Sequence, residues 1–207
     1  MHTFSSQDIP DLSDQVIIVT GGNAGLGYET IRQLSQLLLP ILRETAKLNR
    51  QARMVMLSSA AHARAPSDVY KFDELRTPAA HRHTTERYTT SKLGNLHYAR
   101  ALAERESGFK IIPVHPGMVA TNLHHALTGT FLKPFLYAAI FLGATSVEKG
   151  ALSQIFAAVS PDAKHGQYYG PIGKAESGSK LSQNHDIQEV LFKWIQGQLS
   201  THVGPIP

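Results

Sequence analysis

The sequence has no cysteine among its 207 residues. Disulfides, thiolate nucleophiles and cysteine-ligated zinc are therefore excluded, and the usage suits a reducing compartment. Charge is also sparse: Asp, Glu, Lys and Arg make up 17%, the formal net charge is +4, and Lys and Arg form no run. Such a surface attracts phosphate-like anions weakly and does not make a nucleic-acid interface. Long apolar runs are missing too. The longest, Pro134 to Ala144 (PFLYAAIFLGA), is too short to span a bilayer. It reads as a core or pocket-lining helix, with an interfacial anchor as the alternative. The opening MHTFSSQDIPDLSD lacks the apolar core of a signal peptide, so a cytoplasmic location without a membrane span is expected. Histidines are plentiful, but His81, His83, His124 and His125 lack carboxylate or cysteine partners at ligand spacing, and HExxH is absent. No metal site is expected.

Hydrophobic residues make up 42%, enough for a sizeable core in one domain spanning residues 1–207. Gln15 to Val19 (QVIIV), Arg53 to Ser58 (RMVMLS) and Lys110 to Val114 (KIIPV) have the continuous apolar pattern of buried parallel strands. A helical pattern runs through Leu34, Leu37, Leu38, Ile41 and Leu42, with a kink or break implied by Pro40. Residues 60–83 read as a loop. Thr84 or Thr85 is placed to cap a helix carrying YTTSKLGNLHYARALAERES. Thr145 and Glu148 have capping-box spacing before a helix reaching Val159. Gln167 to Tyr169 is a short last strand, and Asp186 to Leu199 a terminal helix. Strands alternating with helices predict an α/β layered fold.

Between the first strand and its helix lies Thr20-Gly21-Gly22-Asn23-Ala24-Gly25-Leu26-Gly27. Gly21 permits a tight turn, Gly25 lets backbone approach a pyrophosphate, and Gly27 allows close helix–strand packing. The helix N-terminus offers free N–H groups and a positive dipole end to the anion. No Lys-Ser/Thr pair closes the loop, which argues against a P-loop. The acidic residue that would hold a ribose hydroxyl about 20 residues on is missing from any strand end; Glu44 has near that spacing but sits in helical pattern.

Tyr88 and Lys92 are four apart on a predicted helix and share a face. An ammonium beside a phenol stabilises the phenolate. Bringing a phenol from its ordinary range to neutrality is about a thousandfold change in acidity, roughly 4 kcal/mol. A phenol so poised passes protons to and from a substrate oxygen. Taken alone, this spacing also describes a solvated helix face.

Together, TGGNAGLG, MVMLSSAAH, YTTSK and VHPGMVATNL, in this order, resemble the short-chain dehydrogenase/reductase family. SSAAH and SKLGNL are most similar to its retinol-dehydrogenase-like branch, which includes many fungal reductases. The resemblance runs from Gln15 to Tyr169. It implies Tyr88 as catalytic acid/base, Lys92 as the group that tunes it and binds the nicotinamide ribose, and Ser59 as the hydroxyl that polarises the substrate oxygen. It further implies cofactor contacts at Thr20, Gly21, Asn23, Gly25, Leu26, Gly27, Tyr88, Lys92, Pro116, Gly117, Val119 and Thr121. His115 is expected to hold the turn before Pro116. The implied cofactor is NADP or NAD, with NADP ahead on the branch. The implied substrate is a small lipophilic carbonyl or alcohol, in keeping with apolar Phe131, Leu132, Phe135, Leu136 and Tyr137 in the lid region.

One block of the family pattern is missing. Leu37 to Leu42 (LLLPIL) is similar to the end of the helix after the family's fourth strand, yet here it directly follows IRQLS of the first helix. The fold expected is therefore a truncated Rossmann-like three-layer sandwich, its mostly parallel sheet lacking the family's second, third and fourth strands. About 80 residues are missing near residues 34–38, taking each βα step as roughly 30 residues. The family's helper asparagine and the residue selecting NAD or NADP go with them. If the first strand pairs directly with the MVMLS strand, a right-handed connection puts the residue 21–42 helix on the late helix's face. Three readings follow: an active reductase, weak or absent dinucleotide binding in an inactive relative acting through interactions, and the product of an incomplete gene model. Strand edges left unpaired favour association, and the family's late helix and Tyr/Lys helix are compatible with a homodimer.

Overall fold

The structure is a computed structural model. It describes residues 5, 39–49, 51–75, 77, 79, 81–117, 119 and 146–203. The expected first strand, the glycine cradle, Thr121 and the lid region lie outside the described residues. Along the chain come α1 (39–48), β1 (Arg53–Leu57), a 3-10 turn (Ala60–Arg64), α2 (Phe72–Leu75) and α3 (Thr84–Ala103). Then follow β2 (Lys110–Val114), α4 (Val147–Val159), β3 (Tyr168–Tyr169), β4 (Ala175–Glu176) and α5 (His185–Val203).

The sheet order is β1-β2-β3-β4. β1 pairs with β2 in parallel from Arg53–Lys110 to Leu57–Val114, β2 pairs with β3 in parallel, and β4 returns antiparallel to β3. Alternation along the strands sorts side chains into two cores. Met54, Met56 and Ile111 meet Tyr98, Ala99 and Leu102 of α3, Leu191 and Ile195 of α5, and Leu39 and Ala46 of α1. Val55, Leu57, Ile112 and Val114 meet Phe156 and Ala157 of α4. The described residues thus form helix, sheet and helix layers. α3 and α4 each join neighbouring parallel strands that step the same way, yet they lie on opposite faces. The two βαβ units therefore have opposite hands, and one goes against the strong right-handed preference.

Helix ends differ from expectation by a residue. His83 caps α3, its Nδ1 accepting the Thr85 N–H at 3.3 Å, so neither threonine is the cap. Ser146 caps α4, its Oγ accepting the Lys149 N–H, in place of the Thr145–Glu148 box. At the other end of α4, Arg53 of β1 donates to the carbonyls of Ala157 and Ser160, a cation on the negative pole of the helix. Residues 60–83, expected as a loop, hold both a 3-10 turn and α2.

Candidate active site

α3 is buried on nearly every side from Lys92 to Ala99 because it lies between β1, β2, α5 and the 3-10 turn. Two side-chain hydrogen bonds fix it against the end of β1. Ser58 Oγ donates to the Lys92 carbonyl at 2.8 Å, and Asn95 Nδ2 donates to the Leu57 carbonyl at 2.9 Å. The turn that carries Ser59 therefore has a fixed height against the helix turn that carries Tyr88 and Lys92.

Ser59 is the N-cap of the 3-10 turn and accepts the Ala61 N–H at 3.2 Å. That bond uses an oxygen lone pair and leaves the hydroxyl proton available to a substrate oxygen. Tyr88 is half-buried, and Lys92 is only 6% exposed, its Nζ 5.6 Å from the centre of the Tyr88 ring. Burial pushes the Lys92 pKa below its ordinary value. Among the described residues no carboxylate pairs with this ammonium. A buried charge left so is costly and favours a polar ligand that can accept from it.

Past the end of the neighbouring strand β2, Gly117 has φ +80°, and a Cβ there would lie 2.9 Å from Pro171 Cγ. His115 holds this turn as expected, its Nδ1 accepting the Gly117 N–H at 3.2 Å. The side chain of Val119 is turned onto α4, where a Cβ on Gly150 would lie 2.5 Å from its Cγ2. Ser59 and Gly117 thus follow the carboxyl ends of the adjacent strands β1 and β2, and Tyr88 and Lys92 lie on the helix joining them. Ligands of open parallel sheets bind at such ends. A nicotinamide dinucleotide fits these residues in one respect, a buried ammonium with no acceptor among the described residues, whereas Gly117 answers to its positive φ and to Pro171.

Sequence reasoning missed the polar support beneath these turns. His62, Tyr168 and Glu176 gather there from 62, 168 and 176 in the chain. It also missed a further cluster, Glu104, His185 and Glu189, whose ligand atoms lie within 4.8 Å of one another. Arg105 already engages Glu189 with two hydrogen bonds, at 2.6 and 2.8 Å, and Gln188 donates to Glu104.

The described fold is α/β with a mostly parallel sheet, and the relatives it matches are oxidoreductases. An uncharacterized oxidoreductase of Schizosaccharomyces pombe is 33% identical over 133 residues, 62% of this chain and 39% of the relative. A short-chain dehydrogenase/reductase of Armillaria gallica is 29% identical over 170 residues, 79% and 52% of the two chains. Human retinol dehydrogenase 14 is 29% identical over 169 residues, 76% and 48%. No protein-family model matches. The chain is similar to curated short-chain dehydrogenases/reductases, and it spans about half the length or less of the curated relatives it matches. Among the described residues no helix is long and apolar enough to cross a membrane.

Proposed function

We propose that the chain, as one NAD(P)-binding domain, interconverts a small lipophilic carbonyl compound and its alcohol. The observation that carries this reading is the buried Lys92 ammonium over the Tyr88 ring, without a carboxylate partner among the described residues, on the helix that Ser58, next to Ser59, bonds at the Lys92 carbonyl. In the reducing direction the Tyr88 phenol gives its proton to the carbonyl oxygen. Lys92 stabilises the phenolate left behind, and Ser59 donates a hydrogen bond to the same oxygen. A bound nicotinamide supplies or receives the hydride. Lys92 would hold its ribose, and Pro116, Gly117, Val119 and Thr121 would border the ring. Thr20, Gly21, Asn23, Gly25, Leu26 and Gly27 would cradle the pyrophosphate. NADP is preferred to NAD, the location is cytoplasmic, and fungal specialised metabolism is the natural setting. A homodimer is part of this reading; Ile41 and Leu48 of α1, 59% and 91% exposed, support α1 as its face, whereas α3 is covered within the chain from Lys92 to Ala99.

The half-length match favours a second reading, an inactive relative that lacks the adenine side of the site. Turnover of NADPH with a panel of lipophilic aldehydes and ketones separates the two. The first reading expects activity that Tyr88→Phe abolishes while leaving the urea midpoint unchanged. Activity surviving in Tyr88→Phe removes the phenol from the mechanism, and a wild-type chain inert to the whole panel favours the second reading.

A further inference from the structure

The Ser59 turn and the Pro116–Gly117 turn follow different strands, yet both rest on one buried group of rings. Ser59 has a backbone carbonyl that can only accept, and His62 Nδ1 lies 2.7 Å from it; that nitrogen therefore carries the proton. His62 Nε2 accepts the Ser179 N–H at 3.2 Å. At His115 the arrangement is reversed. Nδ1 accepts the Gly117 N–H, and the Nε2 proton points to the Glu176 carboxylate at 3.1 Å. The two histidines are thus held in opposite neutral tautomers. Tyr168 sits between them, its ring edge-on to His62 at 5.5 Å and tilted against His115 at 5.4 Å. All three are buried, at 4%, 4% and 1% exposure.

The charged groups facing His62 are Arg100 and Glu176, with His115 as its titratable neighbour. Arg100 is itself anchored by donating to the Ser177 and Ser182 carbonyls. Glu176 reaches His115 past Gly170, where a Cβ would collide with its carboxylate. The segment 168–182 is therefore a shared base for both turns.

We propose that His62 and His115, packed about Tyr168, are positioning residues that couple the Ser59 hydroxyl to the Pro116–Gly117 turn. The inference rests on reading those turns as the substrate and nicotinamide sides of a reductase. Neither ring touches substrate. Each spends both nitrogens on neighbouring segments, so displacement of one ring moves Tyr168 and, through it, the opposite turn. Such displacements of a reacting group cost roughly 10- to 100-fold in rate.

The test joins nitrogen-15 NMR of the histidine rings and backbone amides to kinetics. The wild-type protein is expected to show His62 as the Nδ1–H form and His115 as the Nε2–H form. His62→Leu is expected to shift the Gly117 amide and the His115 ring signals, and to lower kcat roughly 10- to 100-fold with the cofactor KM within about twofold. His62→Asn, whose amide replaces the Nδ1 donor, is expected to restore most of both. An Nε2–H form at His62, or Gly117 and His115 signals unmoved in a folded His62→Leu, overturns the coupling. The tautomer measurement needs no variant and no activity, so it stands if His62→Leu does not fold. Lack of wild-type turnover counts against the reductase reading and leaves the coupling to be decided by the spectra.

Discussion

Replacing His97 by glutamine is expected to remove most of one proton's worth of acid sensitivity from the fold. His97 is wholly buried in α3; its Nε2 donates to the Leu181 carbonyl at 3.0 Å, and its Nδ1 accepts the Tyr70 hydroxyl at 2.9 Å. Burial, helped by the nearby Arg100 and His62, lowers its pKa from 6.5 to about 4. Once pH drops below 6.5 the unfolded chain takes up a proton here that the folded chain refuses until near pH 4. The unfolded state then binds more protons, so stability falls as pH falls through this window. About 2.5 pH units at 1.36 kcal/mol each give a loss on the order of 3 kcal/mol. Glutamine keeps a donor for Leu181 and cannot titrate. It carries a fixed cost of about 1–2 kcal/mol for the Tyr70 hydroxyl left without its acceptor. Urea denaturation of both proteins between pH 7.5 and 4.5 reads the difference. Wild type is expected to be the more stable at pH 7.5, and the variant the more stable below about pH 5. Stability curves that stay parallel across the range refute a neutral, desolvated His97.

Lys92→Met is expected to stabilise the fold by about 1–3 kcal/mol, because it removes a buried charge with no described ion-pair partner; a loss of stability in the same urea assay argues against that burial. Gly173→Ala is expected to destabilise by about 1–3 kcal/mol, since φ is +76° and the new Cβ would lie 2.8 Å from the Phe156 ring; an unchanged melting temperature contradicts this. Leu96→Ala, at a fully buried position of α3, is expected to cost about 2–5 kcal/mol by thermal or urea unfolding, and a cost below 1 kcal/mol would mean the site is looser than described.

The strands RMVML and KIIPV were legible because each is a continuous apolar run bounded by polar residues, the pattern of strands covered on both faces. That Tyr88 and Lys92 share a face was legible from their four-residue spacing, whereas their reading as a site came from the family resemblance of the surrounding motifs. β4 was not, because two residues, one of them Glu176, carry no periodicity; its place comes from pairing with Tyr168 and Tyr169. The caps were displaced because adjacent hydroxyl and imidazole groups compete for the same N–H donors, and backbone geometry chooses between them. The ring group under the site brings His62 to Tyr168 across 106 residues, which no local pattern encodes. The opposite hands of the two βαβ units ran against the usual preference, so sequence order alone would have put α4 on the wrong face.

The most direct test of the Tyr88–Lys92 site is a fluorescence titration of NADPH with wild-type protein and Lys92→Met in parallel. The account predicts saturable binding by wild type that is lost in the variant while the variant stays folded. A flat wild-type trace, or equal binding by both proteins, contradicts it.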